Sequence, residues 1–126
     1  MIELKEDQLT GKIIGAAIEV HRYWGPGLLE SIYENSLCRE LDLRNVGYLQ
    51  QHRLPLIYKD AKVGDDLRLD LWVEQKVVVE AKSVSELAPI HEAQLLTYMR
   101  LTRSAVGLLI NFNVPTLKQG IRRLVL

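Results

Sequence analysis

The stretch Leu67-Arg68-Leu69-Asp70-Leu71-Trp72-Val73-Glu74-Gln75-Lys76-Val77-Val78-Val79-Glu80-Ala81-Lys82 decides how this chain is read. Leu67, Leu69, Leu71 and Val73 take every second position, with Arg68, Asp70 and Trp72 between them. Side chains alternate across a strand, so this is an extended segment with one apolar and one polar face. Residues 77–82 form a second, valine-rich strand on which Glu80 and Lys82 share a face. The link between the two strands sets their register. A two-residue turn at Glu74-Gln75 would place Asp70 opposite Val79, whereas a three-residue loop places it opposite Glu80. Two-residue hairpin turns want Asn or Gly at positive φ, and neither stands here, so the longer loop is expected. With Leu69 and Val79 both toward the core, Asp70, Glu80 and Lys82 would then share the opposite face.

Two carboxylates directly across a hairpin repel each other. A divalent cation between them removes the conflict. Mg²⁺ or Mn²⁺ takes hard oxygen ligands, commonly one or two carboxylates completed by water and substrate phosphate. Asp70, Glu80 and the backbone carbonyl of Ala81 are the candidate ligands, with Glu30 as a further one. Lys82 beside the cation could orient a water or stabilise charge developing on a phosphate. The bland alternative is a solvated ion-pair face, which is ordinary on an exposed sheet.

Outward from the hairpin, residues 7–23 and 28–44 read as helices separated by Gly25-Pro26-Gly27. The second carries Leu29, Tyr33, Leu37 and Leu41 at helical spacing, with Glu30 in its first turn. Residues 51–58 read as a strand in which Pro55 marks an edge or a bulge, and residues 60–65 as a polar turn. After the hairpin, residues 85–102 return to helix, with Pro89 in the first turn. Gln94 and Tyr98 share a face of that helix, and His91 can join them. Residues 105–110 read as a buried strand and residues 120–126 as a final one. The order predicts an α/β chain, a mixed sheet with helices on it, forming one domain over residues 1–126.

Composition bounds the function. Lys plus Arg and Asp plus Glu are equal at 16 each, so no overall field draws the chain to nucleic acid. A nucleic-acid partner would need a local basic patch. The one cysteine, Cys38, excludes an intrachain disulfide and falls on an apolar helical stretch. The acidic opening, residues 1–7, contains no long apolar run. No signal or membrane-spanning segment is therefore expected, and cytoplasm is the expected compartment. His21, His52 and His91 have no partners at zinc-ligand spacing.

Asp70 followed by Glu80-Ala81-Lys82 resembles the core of the PD-(D/E)XK nuclease superfamily. Gln94-Leu95-Leu96-Thr97-Tyr98 is similar to the QxxxY helix motif of its RecB-like branch. Gly27-Leu28-Leu29-Glu30-Ser31-Ile32-Tyr33 resembles the signature of the GxxExxY family, short prokaryotic proteins placed in that superfamily. The resemblance implies a restriction-endonuclease-like core, a central mixed sheet flanked by helices. It implies Mg²⁺-dependent hydrolysis of DNA phosphodiesters. Asp70 and Glu80 would be metal ligands, Lys82 the catalytic lysine and Glu30 the acid of the first helical motif. Gln94 and Tyr98 would touch the active site or the nucleic acid. Leu69 stands where the motif has proline. Fold does not dictate activity. A catalytically inactive module that binds nucleic acid or a protein partner is thus the competing expectation, and hydrolysis of another phosphate ester a third. A homodimer or larger complex is compatible with each.

Overall fold

The computed structural model describes residues 6–126, so the opening residues 1–5 of the acidic stretch lie outside the described residues. Helix α1 spans Asp7–Trp24 and α2 spans Glu30–Leu43. Strand β1 is Tyr48–Leu54, β2 is Ile57–Tyr58 and β3 is Ala61–Lys62. Strands β4, Leu67–Val73, and β5, Val77–Lys82, lead to α3, Pro89–Thr102. Strand β6 is Val106–Asn111 and β7 is Ile121–Val125, after a short 3₁₀ turn at Leu117–Gly120. Five strands form one mixed sheet in the order β1-β4-β5-β6-β7, with β5 and β6 parallel and the other neighbours antiparallel. No helix among the described residues is long and apolar enough to cross a membrane.

Both faces of the sheet are buried. Ile13, Ala16, Ala17, Tyr33, Leu37 and Leu41 of α1 and α2 pack with Leu71, Val73, Val79 and Ile110 on one face. Leu95, Tyr98 and Met99 of α3 pack with Leu54, Leu69, Val78 and Leu109 on the other. That explains why β5 reads Val77-Val78-Val79 without alternation: a strand covered on both sides is apolar on both. Gly107 lies under α3. A Cβ there would stand 2.6 Å from the Met99 sulfur and 3.0 Å from Leu95 Cδ1.

Several expectations need correction. The strand expected over residues 51–58 starts earlier and is cut by Pro55; Ile57–Tyr58 instead pairs with Ala61–Lys62, inside the expected turn, as a separate hairpin. β1 is nonetheless an edge strand. α2 begins at Glu30 because Gly25 and Gly27 hold positive φ and Leu29 is extended. α3 begins at Pro89 rather than at residue 85.

The hairpin register is the expected one, with Val73 opposite Val77 and Leu71 opposite Val79 across a three-residue loop. The turn chemistry differs from expectation, because Glu74 and Gln75 do take positive φ, at 52° and 51°. Glu74 offsets that strain by bonding the residue ahead of β1: its N–H donates to Gly47 O at 2.9 Å, and its Oε1 accepts from Gly47 N at 3.0 Å. The single apolar face expected of Leu67, Leu69, Leu71 and Val73 is not found. Leu67 and Leu69 face α3, whereas Leu71 and Val73 face α1 and α2. Leu69 and Val79 consequently lie on opposite sides of the sheet.

Candidate active site

The break in alternation builds the site. On β4 it falls at Asp70-Leu71. On β1 it falls opposite, where Gln50 and Gln51 both reach Glu34 of α2 while His52 lies against Trp72. Gln51 takes φ +52° inside a strand, a conformation that non-glycine residues hold only when their surroundings fix it. Those surroundings are visible. Its Nε2 donates to Glu34 Oε1 at 3.0 Å, Glu34 Oε2 at 2.9 Å and Asp70 Oδ1 at 3.2 Å.

The β4–β5 register ends at Leu71 and Val79. Beyond that point side chains take over the bonding. The Asp70 N–H donates to Glu80 Oε2 at 2.6 Å, and the Ala81 N–H donates to Asp70 Oδ2 at 2.9 Å. Both carboxylates therefore lie in the seam between the two strands. The carbonyl of Ala81 leaves β5 on the same edge as its N–H, toward that seam. The next residue is anchored the other way, since Phe112 N donates to Lys82 O at 2.9 Å.

Electrostatics follow from this geometry. Burial raises the Asp70 carboxyl well above the usual carboxylate range; the Ala81 N–H opposes the rise and the Glu34 charge adds to it. Burial also raises Glu80, and Asp70 pushes it further while Lys82 pulls it back. Burial lifts the Tyr98 hydroxyl as well, and the charges of Glu80 and Asp70 add to the effect. Two acids that resist ionisation side by side give a cation a strong reason to bind. Among the described residues no three acidic, histidine or cysteine side chains form a cation cage. Mg²⁺ and Mn²⁺ do not require one, because water and phosphate complete their shell. Two carboxylates with a carbonyl beside them fit such an ion.

The structure brings Asp70, Glu80, Lys82 and Tyr98 into one neighbourhood. Lys82 is half-buried and makes no ion pair within 4.0 Å among the described residues. Glu30 is exposed in the first turn of α2 and stays outside the hydrogen-bonded cluster. It nevertheless stands near the exit of β5, because Ser83 Oγ donates to Leu28 O at 2.6 Å. Gln94 is exposed on α3, one turn before Tyr98. His91 does not join it; its Nδ1 accepts from Ala88 N at 2.9 Å and closes the start of α3. His21 bonds Val114 O, and Cys38 is buried with its thiol pushed up to about 11, which makes it no nucleophile.

Glu34 and Gln51 are site residues that sequence reasoning missed. Glu34 follows Tyr33 on the inner side of α2 and is 9% exposed, an unusual place for an acid. Its spacing of four from Glu30 was the available signal. Gln51 carries none without the β1–β4 pairing.

Strands that part over two carboxylates, with a lysine beside them and helices on both faces, define a nuclease-type core. The chain belongs to the PD-(D/E)XK nuclease superfamily, whose family model matches residues 7–124, and its fold is restriction-endonuclease-like. No curated protein and no solved structure matches it.

Proposed function

We propose that this chain is a Mg²⁺- or Mn²⁺-dependent nuclease that hydrolyses DNA phosphodiester bonds, a member of the GxxExxY family on the RecB-like branch. The observation that carries this reading is the pair of crossed hydrogen bonds joining Asp70 and Glu80, with Lys82 two residues on. Asp70, Glu80 and the Ala81 carbonyl would hold the cation. When bound, a divalent cation supplies charge neutralisation at the phosphate and a water of lowered pKa. Lys82 would place its ammonium against a phosphate oxygen as negative charge builds there. Tyr98 would close the α3 side of the site, with Gln94 reaching the nucleic acid outside it. Glu34 would hold Gln51 against Asp70, and Glu30 would be the acid at the entrance. Plasmid and single-stranded DNA incubated with Mg²⁺ or Mn²⁺ test the reading. Wild type should cut and Lys82→Ala should not; equal cleavage by both would overturn it.

One observation favours a second reading, a nuclease-fold module that binds without cutting. The Gln51 amide already supplies a donor to Glu34 and Asp70. Calorimetric titration separates the two, since a module without catalysis would give no heat with Mn²⁺.

A further inference from the structure

Arg53 on β1 is the cross-strand partner of Arg68 on β4. Like charges directly opposite one another destabilise a sheet, so folding alone gives no reason for the pair. Both residues are exposed, and neither forms an ion pair among the described residues. The next pair along, Leu54 and Leu67, belongs to the cluster under α3, as does Leu69. Alternation therefore turns both arginines to the other face, where Gln51 and Asp70 meet Glu34. Arg68 precedes Asp70 by two residues, about 6.6 Å along a strand. The neighbouring β2–β3 hairpin does not compete for this role. Lys59 lies over the Tyr58 ring, Lys62 pairs with Asp66 at 3.6 Å, and Asp60 and Asp65 offset the rest. The arginine pair is thus a local positive patch on a chain of zero formal net charge.

We propose that Arg53 and Arg68 clamp a backbone phosphate of the nucleic-acid strand, next to the phosphate held at Asp70 and Glu80. Guanidinium groups match phosphate oxygens with paired N–H donors, and an anion between the two removes their repulsion. The occupant follows from this charge complementarity and from continuity with the carboxylate site. The inference rests on the nucleic-acid reading above and extends it to the path of the strand.

Fluorescence anisotropy with labelled duplex and single-stranded DNA, in EDTA, tests the clamp without catalysis. Arg53→Gln/Arg68→Gln should bind at least tenfold more weakly at low salt. Its plot of log affinity against log salt should flatten by about one, the counterion displaced from the single clamped phosphate. Lys59→Gln/Lys62→Gln should change both far less. Removing like-charge repulsion should leave the arginine variant at least as heat-stable as wild type, so weak binding cannot be ascribed to unfolding. An unchanged affinity and slope would overturn the clamp, as would equal displacement of DNA by polyglutamate. The outcomes separate the two readings. Cleavage with an unchanged slope removes the clamp and keeps the nuclease. Binding that depends on the arginines, without cleavage in Mg²⁺ or Mn²⁺, keeps the clamp and removes the nuclease.

Discussion

Asp70 and Glu80 are bonded to each other's strands: Glu80 Oε2 accepts from the Asp70 N–H at 2.6 Å, while Asp70 Oδ2 accepts from the N–H beyond Glu80 at 2.9 Å. Each N–H freed from the strand ladder is satisfied by a carboxylate, so the seam can stay open without orphaned donors. The cost is two acids confined together.

That cost sets a pH dependence. Burial raises both carboxyls, with the Glu34 charge adding at Asp70 and the Asp70 charge adding at Glu80, to about 7 and about 8 respectively, whereas unfolded carboxyls titrate at roughly 4. The native state then holds more protons than the unfolded state between those limits. Stability is fully present below about pH 4 and falls as pH rises through 7 to 8, by up to about 1.4 kcal/mol per pH unit for each group. Melting temperature in EDTA should fall from pH 5 to pH 8, and Mn²⁺ at pH 8 should restore it. A flat profile for the metal-free protein would contradict the crowded pair.

Replacing Asp70 by Asn should split activity from stability. The amide oxygen can still accept from Ala81 N–H, and the charge facing Glu34 and Glu80 is gone. Cleavage should fall by at least about 100-fold, while the metal-free protein at pH 8 should gain about 1 kcal/mol. Parallel melting curves and plasmid assays read both. A variant that loses stability with activity would show Asp70 to be structural.

How far the sequence reaches is clearest on β4. The spacing of Leu67, Leu69, Leu71 and Val73 does mark a strand, and its register with the following valine-rich strand is the one a three-residue loop dictates. What the letters conceal is the switch of sides at Asp70-Leu71. Both layers of the sheet are apolar, so a leucine looks the same whichever layer receives it. Local pattern specified the strands and their register. The switch depends on β1, where Gln50 pairs with Leu71, His52 pairs with Leu69 and Gln51 stands outside the register between them. Glu34 was hidden for the same reason: only packing of α2 over β1 turns a helix acid inward.

The two acids of α2 should behave differently. Glu34 acts on the Asp70 charge directly, whereas Glu30 is exposed and outside the cluster. Glu34→Gln should lower the Asp70 pKa toward its unfolded value. The stability lost on raising the pH then becomes smaller and is complete at a lower pH. Glu30→Gln should leave that titration in place and affect cleavage alone. Carboxyl titrations by NMR on both variants check this. A Glu30→Gln shift in Asp70 equal to that of Glu34→Gln would contradict the arrangement.

Tyr33 has a role that does not pass through the chemistry. Its ring stacks on Phe112 with centroids 4.7 Å apart, and its hydroxyl donates to Gly25 O and accepts from Leu28 N. Those bonds pin the Gly25-Pro26-Gly27 loop ahead of α2. Tyr33→Phe should keep the stack and lose the loop anchor, at a cost of about 1 to 2 kcal/mol by chemical denaturation. Equal stability would mean that the loop holds itself.

Gln51 offers the sharpest test of stored strain. Its φ of +52° opposes the preference of any side chain bearing a Cβ, and three bonds to Glu34 and Asp70 hold it there. Gln51→Ala keeps the unfavourable conformation and loses the bonds, so it should cost about 2 to 3 kcal/mol. Gln51→Gly loses the same bonds but relaxes the backbone, and should be about 1 kcal/mol more stable than the alanine variant. In a continuous strand the order would be reversed, because glycine there is the weaker residue. Both variants also remove the amide that competes for the carboxylates. Each should therefore bind Mn²⁺ at least as tightly as wild type in calorimetry. Alanine proving more stable than glycine would show that Gln51 sits in ordinary strand geometry and stores nothing.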